Sequence, residues 1–370
     1  MRQLVFACMC LAVASSSFAQ IGGLLGQGAK RARQVNDLRW TEEEKRQLGS
    51  SVSEKVRARY GVVQNVAVHR YVTLVGTVVA RQSSQPDLPW TFIVLDTDAV
   101  NAFAAPHGYV HITRGALALA RDEAELAGVL AHEIVHVAEE HTVKALRSQT
   151  LKGAAAEEAL RNNGLLEFLA EAAYNNILDN AYSRGDENES DAKGVVIANA
   201  AGYAPQGLGR FLTALTDRNK ASTEKRGMFD SHPAMTARLG RLESTISKQK
   251  LQATAAVPER YGKTITYKPV PLAGIATVAD GTRGLAGSTQ APAAEEEKAK
   301  EEPKKRRAFG LNTLAKGGGG DTKSAQVVGS GGARGLDPEK DATGGSNPAA
   351  VTVKVTPADI EQFRTAGNLG

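Results

Sequence analysis

The stretch LAHEIVHVAEEH, Leu130 to His141, constrains this chain more than any other, because its two histidines and glutamate form a pattern that is useful only on a helix. On an α-helix a four-residue step turns ~400° and rises ~6 Å, so His132 and His136 project from one face and both imidazoles can meet one ion. Imidazole nitrogens bind zinc at ~2.0–2.1 Å, and a catalytic zinc uses three protein ligands and leaves one position for water. Glu133 stands ~100° around the helix from His132, on the open side rather than in the ligand set, where a carboxylate can take a proton from that water. The competing reading is a half-buried helix whose imidazoles are satisfied by backbone or carboxylate partners. Two features weigh against it. Six of the seven histidines, His107, His111, His132, His136, His141 and His232, fall in one span, and a third ligand is available downstream.

That ligand is expected from YSRGDENESDAKG, Tyr182 to Gly194. Glu187 and Asp191 are four apart, so one carboxylate can coordinate while the other, one turn on, hydrogen-bonds a ligand imidazole and fixes its tautomer. Spacing alone leaves both Glu187 and Glu189 open as the ligand. Glu189 shares no face with Asp191, since two residues subtend ~200°, and this favours Glu187. His111 and His141 read as packing or hydrogen-bonding residues, and His69 as structural.

The elements around the motif point to an α+β fold, mostly helical with a small β-sheet, followed by a largely disordered C-terminal tail. Asp122 with Glu125 reads as a capping box that opens the motif helix and carries it to about Leu146, with Leu126, Val129, Leu130 and Val137 as its apolar stripe. Upstream, Thr41 and the glutamates after it open a helix through about Tyr60, and a second covers Val66 to Arg81. Trp90 to Asp98 reads as a buried strand, and Ala102 to Gly115 as two short strands around Pro106 and Gly108. An exposed strand there could pair with an extended peptide. Downstream helices are expected over Leu165 to Tyr182, over Glu187 to a glycine cap at Gly202, and after Pro205 and Pro233.

The N-terminus combines Arg2, an apolar run from Leu4 to Ala14 and a small-residue exit, which reads as a secretory signal over 1–19 cleaved after Ala19. Both cysteines, Cys8 and Cys10, lie inside it, so the mature chain could form no disulfide. Export to the periplasm is the expected destination. Lipid attachment at Cys8 is disfavoured, because only a few apolar residues would precede it, and no transmembrane segment is expected after signal removal. A flexible arm over 20–39 leads into a domain over 40–250, followed by an extension over 251–290, a charged and glycine-rich linker over 291–350, and a short segment over 351–370. That last segment reads as a strand-like VTVKV and a capped helix, either packing on the domain or recruiting a partner. The net charge of +5 is modest, and its basic clusters lack an aromatic platform or recognition motif, which argues against nucleic acid.

Taken in order, NAFAAPHGYVHITRG, LAHEIVHVAEEH, YSRGDENESDAKG and SHPAMTAR resemble the M48 zinc peptidases, the CAAX prenyl protease and HtpX-like group, and within it the soluble exported bacterial members. The likeness covers about Trp40 to Lys250. It implies a gluzincin site holding one zinc per chain, with His132, His136 and Glu187 as ligands, Glu133 as general base and Asp191 as support for a ligand. It also implies that His232, before a proline, approaches the metal and holds the enzyme latent, and that Arg238 matches a basic residue on the same helix. Two positions depart from the family pattern: His107 stands where a small residue is usual and Ser190 where alanine is usual. The family's membrane helices, and the tandem helical repeats of some exported members, have no counterpart. The expected function is a zinc endopeptidase of the cell envelope that cuts misfolded or exported proteins in extended conformation. The alternative is a zinc-stabilised chaperone or binding module that does not cut.

Overall fold

The computed structural model describes residues 40–149, 165–179, 182–219, 235–270 and 347–369. The expected signal, arm and most of the linker, together with His232 and Pro233, lie outside them. Helix α1, Glu42–Tyr60, starts from a full capping box in which Thr41 and Glu44 each satisfy the other's backbone N–H. Helix α2, Val66–Ala80, is capped by Asn65, whose side chain accepts from Ala67 and Val68 N–H.

Three short strands follow: β1, Thr91–Leu95, β2, Ala102–Ala105, and β3, Tyr109–Thr113. The sheet order is β1-β3-β2, with β1 parallel and β2 antiparallel to β3, so β2 forms an edge. Strand β1 stops short of the expected Asp98. The Asp96 N–H bonds Gly61 O instead of a sheet neighbour, and Arg114 ties down both Asp96 and Asp98. Between β2 and β3, His107 adopts a left-handed φ of 61°, a conformation uncommon outside glycine in which histidine is enriched along with asparagine and aspartate.

Both faces of this small sheet are covered. Ile93, Leu95, Phe103 and Ala105 face a cluster with Leu48, Val52 and Val56 of α1 and with Leu169, Ala173 and Ile177 of helix α6, Leu165–Asp179. Alternate residues Phe92, Val94, Ala104, Val110 and Ile112 join the larger core. That core holds α2, the short helix α3, Arg114–Leu119, and the motif helix α4, Glu123–Ala138. Period-two alternation in the strands therefore assigns each side chain to one of two apolar layers.

The motif helix differs from its expected form at both ends. Asp122 does cap it, accepting from Glu125 N–H, but the Glu125 carboxylate accepts from Arg121 N–H and from the Arg121 guanidinium rather than closing the box. At the other end the helix does not continue to Leu146. It stops at Ala138, Glu140 takes a left-handed φ of 56°, and a new helix, α5, spans His141–Gln149.

Helix α7, Arg184–Ala200, begins three residues before the expected Glu187, at a capping box between Ser183 and Asp186, and is followed by Gly202 at φ 95°. Helices α8, Gly207–Asn219, α9, Met235–Lys248, and α10, Pro258–Thr264, complete this part. The strand expected at VTVKV does not form. The residues just before it are held by the Val62 N–H on Asn347 O and by the Arg57 and Gln64 side chains on the Pro348 and Ala349 carbonyls, and the segment itself by Arg70 on Lys354 O, not by a ladder. Helix α11, Pro357–Ala366, then packs against α2, burying Ile360 and Phe363, with the Arg260 guanidinium 3.7 Å above the Phe363 ring. No described helix is long and apolar enough to cross a membrane.

Candidate metal centre

Every residue of α4 is buried, which is the pattern of a central helix rather than a surface one. Two glycines allow its neighbours to come close. A Cβ at Gly128 would stand 2.5 Å from Leu208 N of α8, and one at Gly194 would stand 3.2 Å from His132 N. The second approach lays α7 directly against the motif.

This packing brings together the residues that the sequence singled out. His132 Nε2 and His136 Nε2 are 3.1 Å apart, and the Glu187 carboxylate lies 3.6 Å from the first and 3.3 Å from the second. Among the described residues these three form the one group of side chains with spacing suited to a metal ion. Three donors held 2.0–2.1 Å from a tetrahedral ion stand about 3.4 Å from one another, and the observed triangle brackets that value. All three side chains are buried, so the triangle is a fixed feature of the interior. Glu133 is buried on the same helix, close enough for its charge to act on Tyr182 and Arg238.

Asp191, one turn beyond Glu187 on α7, lies 3.1 Å from His132 Nδ1 and accepts from Arg238 Nε at 2.8 Å and Nη2 at 2.7 Å. Arg238 comes from α9, is 1% exposed, and places Nη1 3.2 Å from Glu187 Oε2. Its Nη2 is also 3.4 Å from His132 Nδ1, a spacing we assign to two donors sharing the acceptor Asp191 Oδ1. With its Nδ1 proton aimed at Asp191, His132 directs the Nε2 lone pair into the triangle. Burial pushes the Asp191 carboxyl up, but the hydrogen bonds from His132 and Arg238 and the Arg238 charge outweigh it and hold the group at about 2.

His136 is backed differently. Its Nδ1 is 2.9 Å from His141 Nδ1, and the Tyr182 ring stacks on its face at 3.9 Å and 27°. The Tyr182 hydroxyl is 3.0 Å from Thr142 Oγ1 and 3.4 Å from Ala104 O. Burial pushes this phenol well above its ordinary value, so it stays a donor. Burial likewise lowers His141, against the opposing pull of Asp186 and Glu189. Glu189, the alternative ligand by spacing, points to His141 Nε2 at 3.3 Å and to Lys193 at 2.7 Å.

Beside His136 lies a cleft lined in part by His107, Glu140 and Thr142. His111 is fully buried against Ser53 Oγ at 2.9 Å and is pushed down to about 3 by burial, in keeping with a packing role. His232 lies outside the described residues. Sequence spacing missed Tyr182 and the reach of Arg238. Tyr182 carried a signal, since it opens the segment that supplies Glu187, whereas Arg238 lies 47 residues beyond Asp191 and becomes its partner only through the fold.

A buried His-Glu-x-x-His helix beneath the edge of a small sheet, completed by a glutamate from a second helix, defines a metallopeptidase of the HExxH class. Residues 67–246, just under half of the chain, match the profile of Peptidase family M48. The chain is similar to the beta-barrel assembly-enhancing protease of Yersinia pestis, 25% identical over 56% of this chain and 45% of that protein. It is also similar to metalloprotease YcaL of Escherichia coli, 30% identical over 44% of this chain and 64% of that one. Mitochondrial metalloendopeptidase OMA1 of Schizosaccharomyces pombe is 26% identical over 60% of this chain and 66% of its own length. The chain thus spans less than half of the first relative.

Proposed function

We propose that the chain is a zinc-dependent endopeptidase of the bacterial cell envelope, acting on extended segments of misfolded or exported proteins. The observation that carries this reading is the triangle of buried donors on His132, His136 and Glu187, separated by 3.1–3.6 Å. Two imidazoles and a carboxylate are the ligand set of a catalytic zinc with an open position. Bound there, zinc would polarise the scissile carbonyl and acidify water. Glu133 accepts the proton of the attacking water and returns it to the leaving amine. Asp191 and Arg238 keep His132 and Glu187 in place through both steps. The electrostatic balance is reasonable: the Arg238 guanidinium offsets the acidic cluster, at 3.2 Å from Glu187 and 2.7 Å from Asp191.

Strand β2 is the proposed substrate edge. The Thr113 N–H bonds Asn101 O, so by the alternation of an antiparallel pair Ala102 and Ala104 turn their backbone groups away from β3. An extended peptide could add there as a further strand. The Tyr182 hydroxyl now sits 3.4 Å from Ala104 O, so a peptide that takes this carbonyl displaces it. Periplasmic location is supported by the signal-like residues 1–19 and by the relative named for β-barrel assembly. His232 is the proposed latch.

The test is digestion of casein by the protein and by Glu133→Gln. The variant should hold zinc yet cut at least about 100-fold more slowly, the usual worth of a general base. Equal rates would refute the mechanism. If neither protein cuts, His232→Ala is assayed, and continued silence there favours the binding module over the peptidase.

A further inference from the structure

We propose that His141 is a positioning residue for the metal ligand His136, held in the accepting tautomer by Glu189, so that the site has a second relay alongside the one through Asp191. The helix break creates this contact. In an unbroken helix His141, five residues after His136, would lie about 140° around the axis and could not face it. The left-handed turn at Glu140, tied to Lys45 Nζ at 2.5 Å, folds the chain back and sets the two Nδ1 atoms 2.9 Å apart.

Two like nitrogens at that distance bond only if one carries the proton. Coordination through His136 Nε2 requires the proton on His136 Nδ1, which makes His141 Nδ1 the acceptor. The His141 proton must then sit on Nε2, and there the Glu189 carboxylate lies at 3.3 Å and Asp186 Oδ1 at 3.7 Å. Ser190 Oγ, 3.4 Å from His141 Nδ1, is the longer competing contact. Glu189 ends on Lys193 at 2.7 Å, as Asp191 ends on Arg238. Each imidazole of the triangle is therefore backed by a hydrogen-bond chain that runs through a carboxylate to a cation.

This inference rests on the metal site proposed above. It is tested by zinc affinity, measured by competition with a chromophoric chelator, for the parent protein, His141→Leu and His141→Asn. Leucine keeps bulk without an acceptor, whereas the asparagine oxygen stands near the place of Nδ1. His141→Leu should lose about 10- to 100-fold in affinity and His141→Asn should recover most of it, with similar melting temperatures for the metal-free proteins. A packing role predicts the reverse order. Equal affinities for the parent and His141→Leu, or equal losses in the two variants, would overturn the relay. Should His141→Leu not fold, Glu189→Leu, at a half-exposed position, takes its place and should still weaken zinc severalfold; unchanged affinity there would also overturn it. Failure of the parent to bind zinc at all would instead sink the metal site itself.

Discussion

Replacing Asp191 with alanine should damage both the fold and the metal site, and the size of each effect can be worked from its contacts. The carboxylate receives Arg238 Nε at 2.8 Å, Arg238 Nη2 at 2.7 Å and His132 Nδ1 at 3.1 Å, and both Asp191 and Arg238 are almost wholly buried. Removing one partner of a buried ion pair typically costs about 3–5 kcal/mol, because the other charge is left without compensation. Arg238 keeps Glu187 at 3.2 Å, so the lower end applies, about 3 kcal/mol. In a domain of this size that lowers the melting temperature of the metal-free protein by about 6–12 °C. Loss of the acceptor behind His132 should weaken zinc by about 10- to 100-fold. The folded carboxyl titrates at about 2 against an ordinary 3.8, so its contribution is complete above the ordinary value and is lost as pH falls through about 2. The stability gap between parent and variant should thus be flat from neutral pH to about 5 and close only in stronger acid. Asp191→Asn, which keeps an acceptor but no charge, should fall between. Thermal melts of the metal-free proteins and chelator competition read both effects. A melting temperature within about 2 °C of the parent, with unchanged zinc affinity, would refute the assignment.

Tyr182→Phe keeps the ring on His136 but removes the hydroxyl from Thr142 and Ala104 O; KM for an extended peptide should fall severalfold with zinc affinity unchanged, and an unaltered KM would mean that the β2 edge is not where substrate binds. Ending the chain at residue 346 should destabilise the protein markedly in a denaturant melt, because Ile360, Phe363 and Leu369 are buried and each is worth about 1.5–3 kcal/mol. An unchanged melt would make α11 a dispensable attachment.

Much of the site was legible because helical periodicity is local. The spacing of His132 and His136 and the four-residue step from Glu187 to Asp191 follow from 3.6 residues per turn, and the structure has these residues facing one another across α4 and α7. Capping residues likewise located the starts of α1 and α4. What sequence reading missed depends on partners distant along the chain. The break at Glu140 could not be foreseen from propensity, since it is a non-glycine residue in a left-handed conformation held by Lys45, 95 residues upstream. Glu125 abandons its capping box for the neighbouring Arg121, and VTVKV forms no strand: Arg70 of α2 takes the Lys354 carbonyl within it and Arg57 of α1 the Pro348 carbonyl just before it. The reach of Arg238 to Asp191 and Glu187 likewise became apparent only once helices remote in sequence were packed together.

The most direct test of a shared metal between α4 and α7 is the zinc content of the purified protein beside its Glu187→Ala and Glu189→Ala variants. One zinc per chain in the parent, retention in Glu189→Ala and a value well below one in Glu187→Ala is the predicted pattern. A parent that carries no zinc after loading and dialysis, or loss in Glu189→Ala with retention in Glu187→Ala, would contradict it.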